Sequence, residues 1–218
     1  MMSGQESHPA FDPRLYDIVA AVSAERIEAD IRRLVGFGTR HTLSETDSDR
    51  RGIGAARRWI KNEFERISRA CGGCLEVSFQ RHTVKGEAGS RIPVDTEVVN
   101  VLAILRGTTD PNRYVIMSGD IDSRVSDPLD ATSDSPGAND NASGMAGTLE
   151  AARVLTSHRF HASMVFTGLS GEEQGLFGGR HMARVAREQG WQIEAVLNND
   201  MIGNIEGIDG VIENNTFR

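Results

Sequence analysis

The sequence is poor in residue types whose abundance would name a class. Two cysteines in 218 residues are too few for a disulfide framework, and six prolines are too few for a Pro-rich chain. There is no excess of base. Lys and Arg number 24 against 31 Asp and Glu, a formal charge of −7, which disfavours non-specific binding to nucleic acid or anionic membrane. No run approaches the roughly 18 apolar residues of a membrane-spanning helix, so no membrane insertion is expected. The opening MMSGQESHPAFDPR lacks the basic start and apolar stretch of a secretory signal, which makes a cytoplasmic chain the default reading. Internal repeats and low-complexity tracts are absent. A hydrophobic share of 39% and a charged share of 25% describe an ordinary globular chain, long enough to bury a core without staples.

Periodicity divides the chain into elements. Residues 13–36 carry Leu15, Ile18, Val19, Val22, Ile27, Ile31 and Leu34 at helical spacing, with a restart at Ser23. A second helix follows the polar stretch 44–49, buries Ile53, Ala56, Ile60, Phe64 and Ile67, and stops at Gly72 and Gly73. The cysteines, in a CGGC at residues 71–74, fall at that helix end. A redox CxxC normally opens a helix, where the dipole lowers the thiol pKa, so free thiols or a local disulfide are expected instead. Strands are predicted at 77–84, 98–105, 114–117, 164–167 and 195–197, and helices at 142–156 and 176–188. The first two strands read as neighbours. The later alternation of strand and helix predicts an α/β fold, a three-layer α/β/α sandwich on a mixed, largely parallel sheet.

Acidic residues cluster just past the carboxyl ends of the predicted core strands: Asp120 and Asp122, Asp140, Glu172 and Glu173, and Asp200. In open α/β sheets that edge binds ligands. Each cluster alone could be a turn, a helix cap or a solvated loop. Together they would repel one another unless a cation or raised pKa values relieved the charge.

Three motifs in order, PGANDNASG (136–144), GEEQGLFGG (171–179) and NNDMIGN (198–204), follow a strand ending in GDID (119–122). This series resembles family 28 of the metallopeptidases, which includes zinc aminopeptidases, glutamate carboxypeptidase-like enzymes and, as a divergent branch, glutaminyl cyclases. The resemblance implies two divalent ions, usually zinc. Asp140 would bridge them, Glu173 and Asp200 would each bind one, and Glu172 would be the general base that activates water. It implies an exopeptidase, aminopeptidase-like, acting on a peptide or small aminoacyl substrate. Many members are exported. The chain then reads as one metallopeptidase domain, 1–218, with N-terminal helices in 1–72 and the sheet and metal site in 73–218, short of the family's C-terminal part.

Two departures stand out. The family's first motif places a His where Asp120 stands, oriented by an acid where Asp122 stands. Asp120 can still bind a metal, but an ionised Asp120 offers Asp122 no proton to accept. The family pattern also ends on a further His, and all six histidines here (His8, His41, His82, His158, His161 and His181) precede the NDM motif. His41, in GTRHT (38–42), is the one candidate to substitute, although a surface or structural role suits it better. A carboxylate-rich set also suits Mn, Mg or Ca, and makes the metal-bound water less acidic. Alternatives to the peptidase are an impaired homologue acting as a binding module and a single-zinc, glutaminyl-cyclase-like transferase.

Overall fold

The computed structural model describes residues 12–204, together with 206 and 210. Helix α1 (Arg14–Ala20) and helix α2 (Ala24–Val35) are separate, as the restart at Ser23 predicts: the Ser23 hydroxyl caps α2 by accepting from the Arg26 N–H at 3.2 Å. Helix α3 (Gly52–Ala70) leads to a Cys71–Cys74 disulfide, the local pairing that the CGGC spacing allowed. Strands β1 (Leu75–Val84) and β2 (Thr96–Leu105) form an antiparallel pair. Strand β3 (Asp110–Asp120), helix α4 (Gly144–Leu155), strand β4 (Ala162–Leu169), helix α5 (Phe177–Glu188) and strand β5 (Gln192–Asn199) follow in alternation.

The five strands lie in the order β1-β2-β4-β3-β5. Pairing is antiparallel for β1–β2 and β2–β4 and parallel for β4–β3 and β3–β5, so the sheet is mixed and its parallel part is the part that carries the acids. Alternation along the strands builds the three layers. Val101, Ala103 and Leu105 of β2, with Phe166 of β4, pack on Leu34 of α2, Phe64 of α3 and Leu149 of α4. On the other face Ile104, Val165, Tyr114 and Ile116 pack against Met182 of α5.

Burying these side chains holds the parallel strand ends level with one another. Asp120 of β3 is opposite Leu169 of β4, and Gly119 is opposite Asn199 of β5. Close approach is needed where β3 meets α4: a Cβ on Gly119 would lie 2.6 Å from the Gly144 carbonyl carbon, and one on Gly144 would lie 2.0 Å from the Asn199 oxygen.

Candidate active site

Because the strand ends are in register, residues just beyond them converge. Asp120 closes β3, Glu172 and Glu173 follow β4, and Asp200 follows β5. Asp140 arrives from an irregular turn, Ala138–Ser143, ahead of α4. The backbone at Asp140 and Asn141 is extended and not helical, so α4 starts at Gly144, two residues later than the apolar spacing predicts. Asp120, Glu172 and Asp200 line one pocket of about 470 Å³ with Leu176, Arg180 and Ala183.

The electrostatics follow from like charges gathered at a half-buried edge. Burial, then the charge of Asp122, pushes the Asp120 carboxyl up to about 8 against a hydrogen bond from Asn141; Glu172 and Asp200 push it further. Burial, then Asp122, Glu173, Asp200 and Asp140, pushes Glu172 up to about 7. Burial also raises Glu173, although the hydrogen bond from Arg124 works the other way, and burial with Asp140 raises Asp200. Each acid is thus short of positive charge.

Burial raises the Asp122 carboxyl as well, against the hydrogen bonds it accepts. It is fully buried and its oxygens accept from Thr42 Oγ1 at 2.8 Å and from the Glu172 and Glu173 backbone N–H groups, each at 3.2 Å. The structure therefore uses Asp122 to pin the GEE loop, a role for this side chain that does not depend on a proton from residue 120. The two glutamates on that loop differ. Glu173 is bound by Arg124 Nε at 2.6 Å, whereas the Glu172 carboxylate has no hydrogen-bond or ion-pair partner among the described residues.

The spacing of acids gave no hint of several further residues. Asn141 Nδ2 donates to Asp120 Oδ2 at 3.1 Å and to the Asn199 carbonyl at 2.8 Å, while its Oδ1 accepts from the Gly144 and Met201 N–H groups. One amide side chain thereby joins Asp120, the end of β5, the start of α4 and the residue after Asp200. Arg40 is 1% exposed and donates to the carbonyls of Ile121 (2.8 Å), Leu34 (3.2 Å), Pro136 (2.7 Å) and Gly137 (2.9 Å). Burial lowers its guanidinium to about 10, opposed by Asp122 and Asp140, so it stays charged at neutral pH. His41 is fully buried. Its Nδ1 accepts from the Leu43 N–H, and its Nε2 lies 3.0 Å from the Pro128 carbonyl. Both ring nitrogens are engaged, which fits the structural role and leaves no lone pair for a metal.

As donors, the carboxylates of Asp120, Asp140, Glu173 and Asp200 fit a divalent cation: they are oxygen ligands whose mutual repulsion a cation would relieve. With the side chains as they lie, no group of three or more His, Cys, Asp or Glu among the described residues is close enough to hold one ion together.

Fold and site define the class first: an α/β protein with an acidic centre at the carboxyl edge of its parallel strands. The model of Peptidase family M28 matches residues 100–215, and the chain belongs to that family. The chain is 44% identical over 207 residues to a protein of Pyricularia oryzae named "Probable zinc metalloprotease", covering 95% of this chain and 41% of the relative. It is 41% identical over 210 residues to a protein of Leptosphaeria maculans of the same description, covering 96% and 48%. The chain thus spans less than half the length of these curated relatives. Among solved structures it is similar in fold to LapB of Legionella pneumophila (TM-score 0.69, 20% identity, 93% of this chain and 49% of that one). It is also similar to a glutaminyl cyclase of Porphyromonas gingivalis (TM-score 0.63, 22% identity, 84% and 60%).

Proposed function

We propose that this chain hydrolyses peptide bonds as an aminopeptidase-like exopeptidase, with Glu172 as general base. The observation that carries this reading is the division of labour on the GEE loop. Glu173 is held by Arg124, while Glu172 lines the pocket with no partner of its own and its carboxyl near pH 7. A general base needs a carboxylate that is not already committed to another group, and Glu172 supplies one where Glu173 does not.

Asp120, Asp140, Glu173 and Asp200 would hold the metal, two ions on the family pattern and zinc by likeness to the relatives' names. When bound, a divalent cation supplies Lewis acidity to the scissile carbonyl. The chain's own part is positioning and proton transfer. Asp122 fixes the loop through the amides of residues 172 and 173, so the Glu172 carboxylate stays aimed into the pocket. Glu172 takes a proton from the attacking water and returns it to the amine as the C–N bond breaks, which leaves one acid and one amine product.

The test is turnover of aminoacyl and dipeptide substrates by zinc-loaded protein and by Glu172→Gln. The variant is expected to lose about 10²- to 10⁴-fold in kcat while binding the same amount of metal. Equal kcat in the two proteins removes Glu172 as the base, and a wild-type protein with no turnover of any peptide removes the peptidase reading.

A further inference from the structure

The acid-lined pocket is also lined by a cation that has no side-chain partner among the described residues. Arg180 lines the pocket, is exposed, and makes no side-chain hydrogen bond or ion pair among the described residues. The other arginines that reach the GEE loop are engaged: Arg124 holds the Glu173 carboxylate and Arg91 donates to the Glu173 carbonyl at 2.7 Å. Arg180 stands one turn into α5. Leu176, Arg180 and Ala183 recur at helical spacing and share the face that forms a wall of the pocket, while Gly178, Met182 and Ala186 are buried on the opposite face.

Arg180 does not serve to neutralise the acids. Among the described residues no ion pair joins Arg180 to Asp120, Glu172 or Asp200, although all four line the same pocket. The pocket is therefore bipolar. Acids stand at the ends of β3, β4 and β5, a guanidinium stands apart from them on α5, and Leu169, Leu176 and Ala183 supply apolar lining. At about 470 Å³ it is at the smaller end of ligand pockets. A substrate that spans it with the scissile bond at the acids would bring its next polar group to Arg180.

We propose that Arg180 receives a carboxylate of the substrate, so that the site selects peptides carrying a free carboxylate close to the bond that is cut. This rests on the peptidase reading above. A planar guanidinium with no internal partner matches a carboxylate in bidentate fashion, and a neutral amide matches it poorly. The carboxylate has two possible sources, the C-terminus of a dipeptide or an acidic side chain.

Two substrate pairs separate them: a dipeptide against its C-terminal amide, and a Glu-anilide against a Gln-anilide. The charged member of one pair is expected to show a KM roughly tenfold lower than its neutral partner, about the strength of one charge-assisted hydrogen bond. Arg180→Gln should erase that ratio through KM and not through kcat, and Arg180→Lys should keep part of it. Equal KM within both pairs, or a ratio that persists in Arg180→Gln, overturns the proposal while the peptidase reading stands. A second measurement is independent of turnover. Calorimetric titration of wild type and Arg180→Gln with an N-acetyl dipeptide acid and its amide should show a preference for the acid in the wild type alone. Equal affinity for acid and amide in the wild type overturns the proposal even if no peptide is cleaved.

Discussion

Among the described residues the Arg40 guanidinium donates to backbone carbonyls and to no side chain, and that sets the kind of damage its loss would do. In Arg40→Gln the shorter amide cannot reach the carbonyls of Ile121, Leu34, Pro136 and Gly137 together, and some are left buried without a donor. Each unsatisfied buried group costs about 1–3 kcal/mol, so the variant is expected to lose at least about 3 kcal/mol in urea unfolding. A change under 1 kcal/mol would show that the carbonyls find other donors. The residue scale is also where the sequence was least legible. The acids could be read because they recur at strand ends in motifs. Arg40, Thr42, Asn141 and Arg124 could not, because their partners are remote in sequence and are often main-chain atoms. The hydrogen bonds of Asp122 were hidden for a related reason: they go to Thr42 and to the backbone of the GEE loop, both remote in sequence.

At the scale of elements, apolar runs located every strand, but each observed strand is longer than its run. Strand β3 begins at Asp110 and ends at Asp120, and polar residues at strand ends leave no periodic signal. The start of α4 was displaced because Asn141 caps the Gly144 N–H, a side-chain event inside a Gly- and Asn-rich stretch. The contacts that stitch the helical layer were also hidden. Buried Glu150 on α4 accepts from Arg26 Nε at 2.9 Å and from the Ser23 N–H at 2.8 Å, both from the start of α2. Arg153 on α4 pairs with Asp30 of α2 at 2.7 Å and Glu63 of α3 at 3.2 Å.

Burial raises the Glu150 carboxyl, but the hydrogen bonds from Arg26 and Ser23 outweigh it and leave the group below its ordinary value of 4.5. A carboxyl lowered in the folded state contributes stability that is full above its unfolded pKa and is lost as pH falls through the folded one. Glu150→Gln is expected to cost about 1–2 kcal/mol at pH 7, because Arg26 is half exposed and the amide oxygen can still accept. It should also flatten the decline in Tm below about pH 4.5. Parallel Tm curves for the two proteins between pH 3 and 6 would rule out this role for Glu150.

At the scale of the whole molecule, the sheet is covered unevenly. Strand β5 pairs with β3 along one side, and no described strand pairs with its other edge. Ile193, Val196 and Leu197 are 40–57% exposed along it. Where such an apolar edge meets solvent it favours edge-to-edge association, and a charge there opposes it. Val196→Lys should therefore lower the concentration-dependent light scattering of the protein without lowering its Tm. Unchanged scattering would place any association elsewhere.

The Arg40 clamp also bears on how the acid loops can vary. A guanidinium that binds carbonyl oxygens is indifferent to the side chains of the residues that own them, so the clamp itself places no demand on the residue types at 34, 121 and 136; at 34 and 121 the demand comes from core packing. Gly137 is the exception. Its backbone is left-handed, and a Cβ there would lie 2.3 Å from the Asp140 oxygen and 2.8 Å from the Arg40 guanidinium. Among homologous chains, Arg40 and Gly137 should therefore change together or not at all.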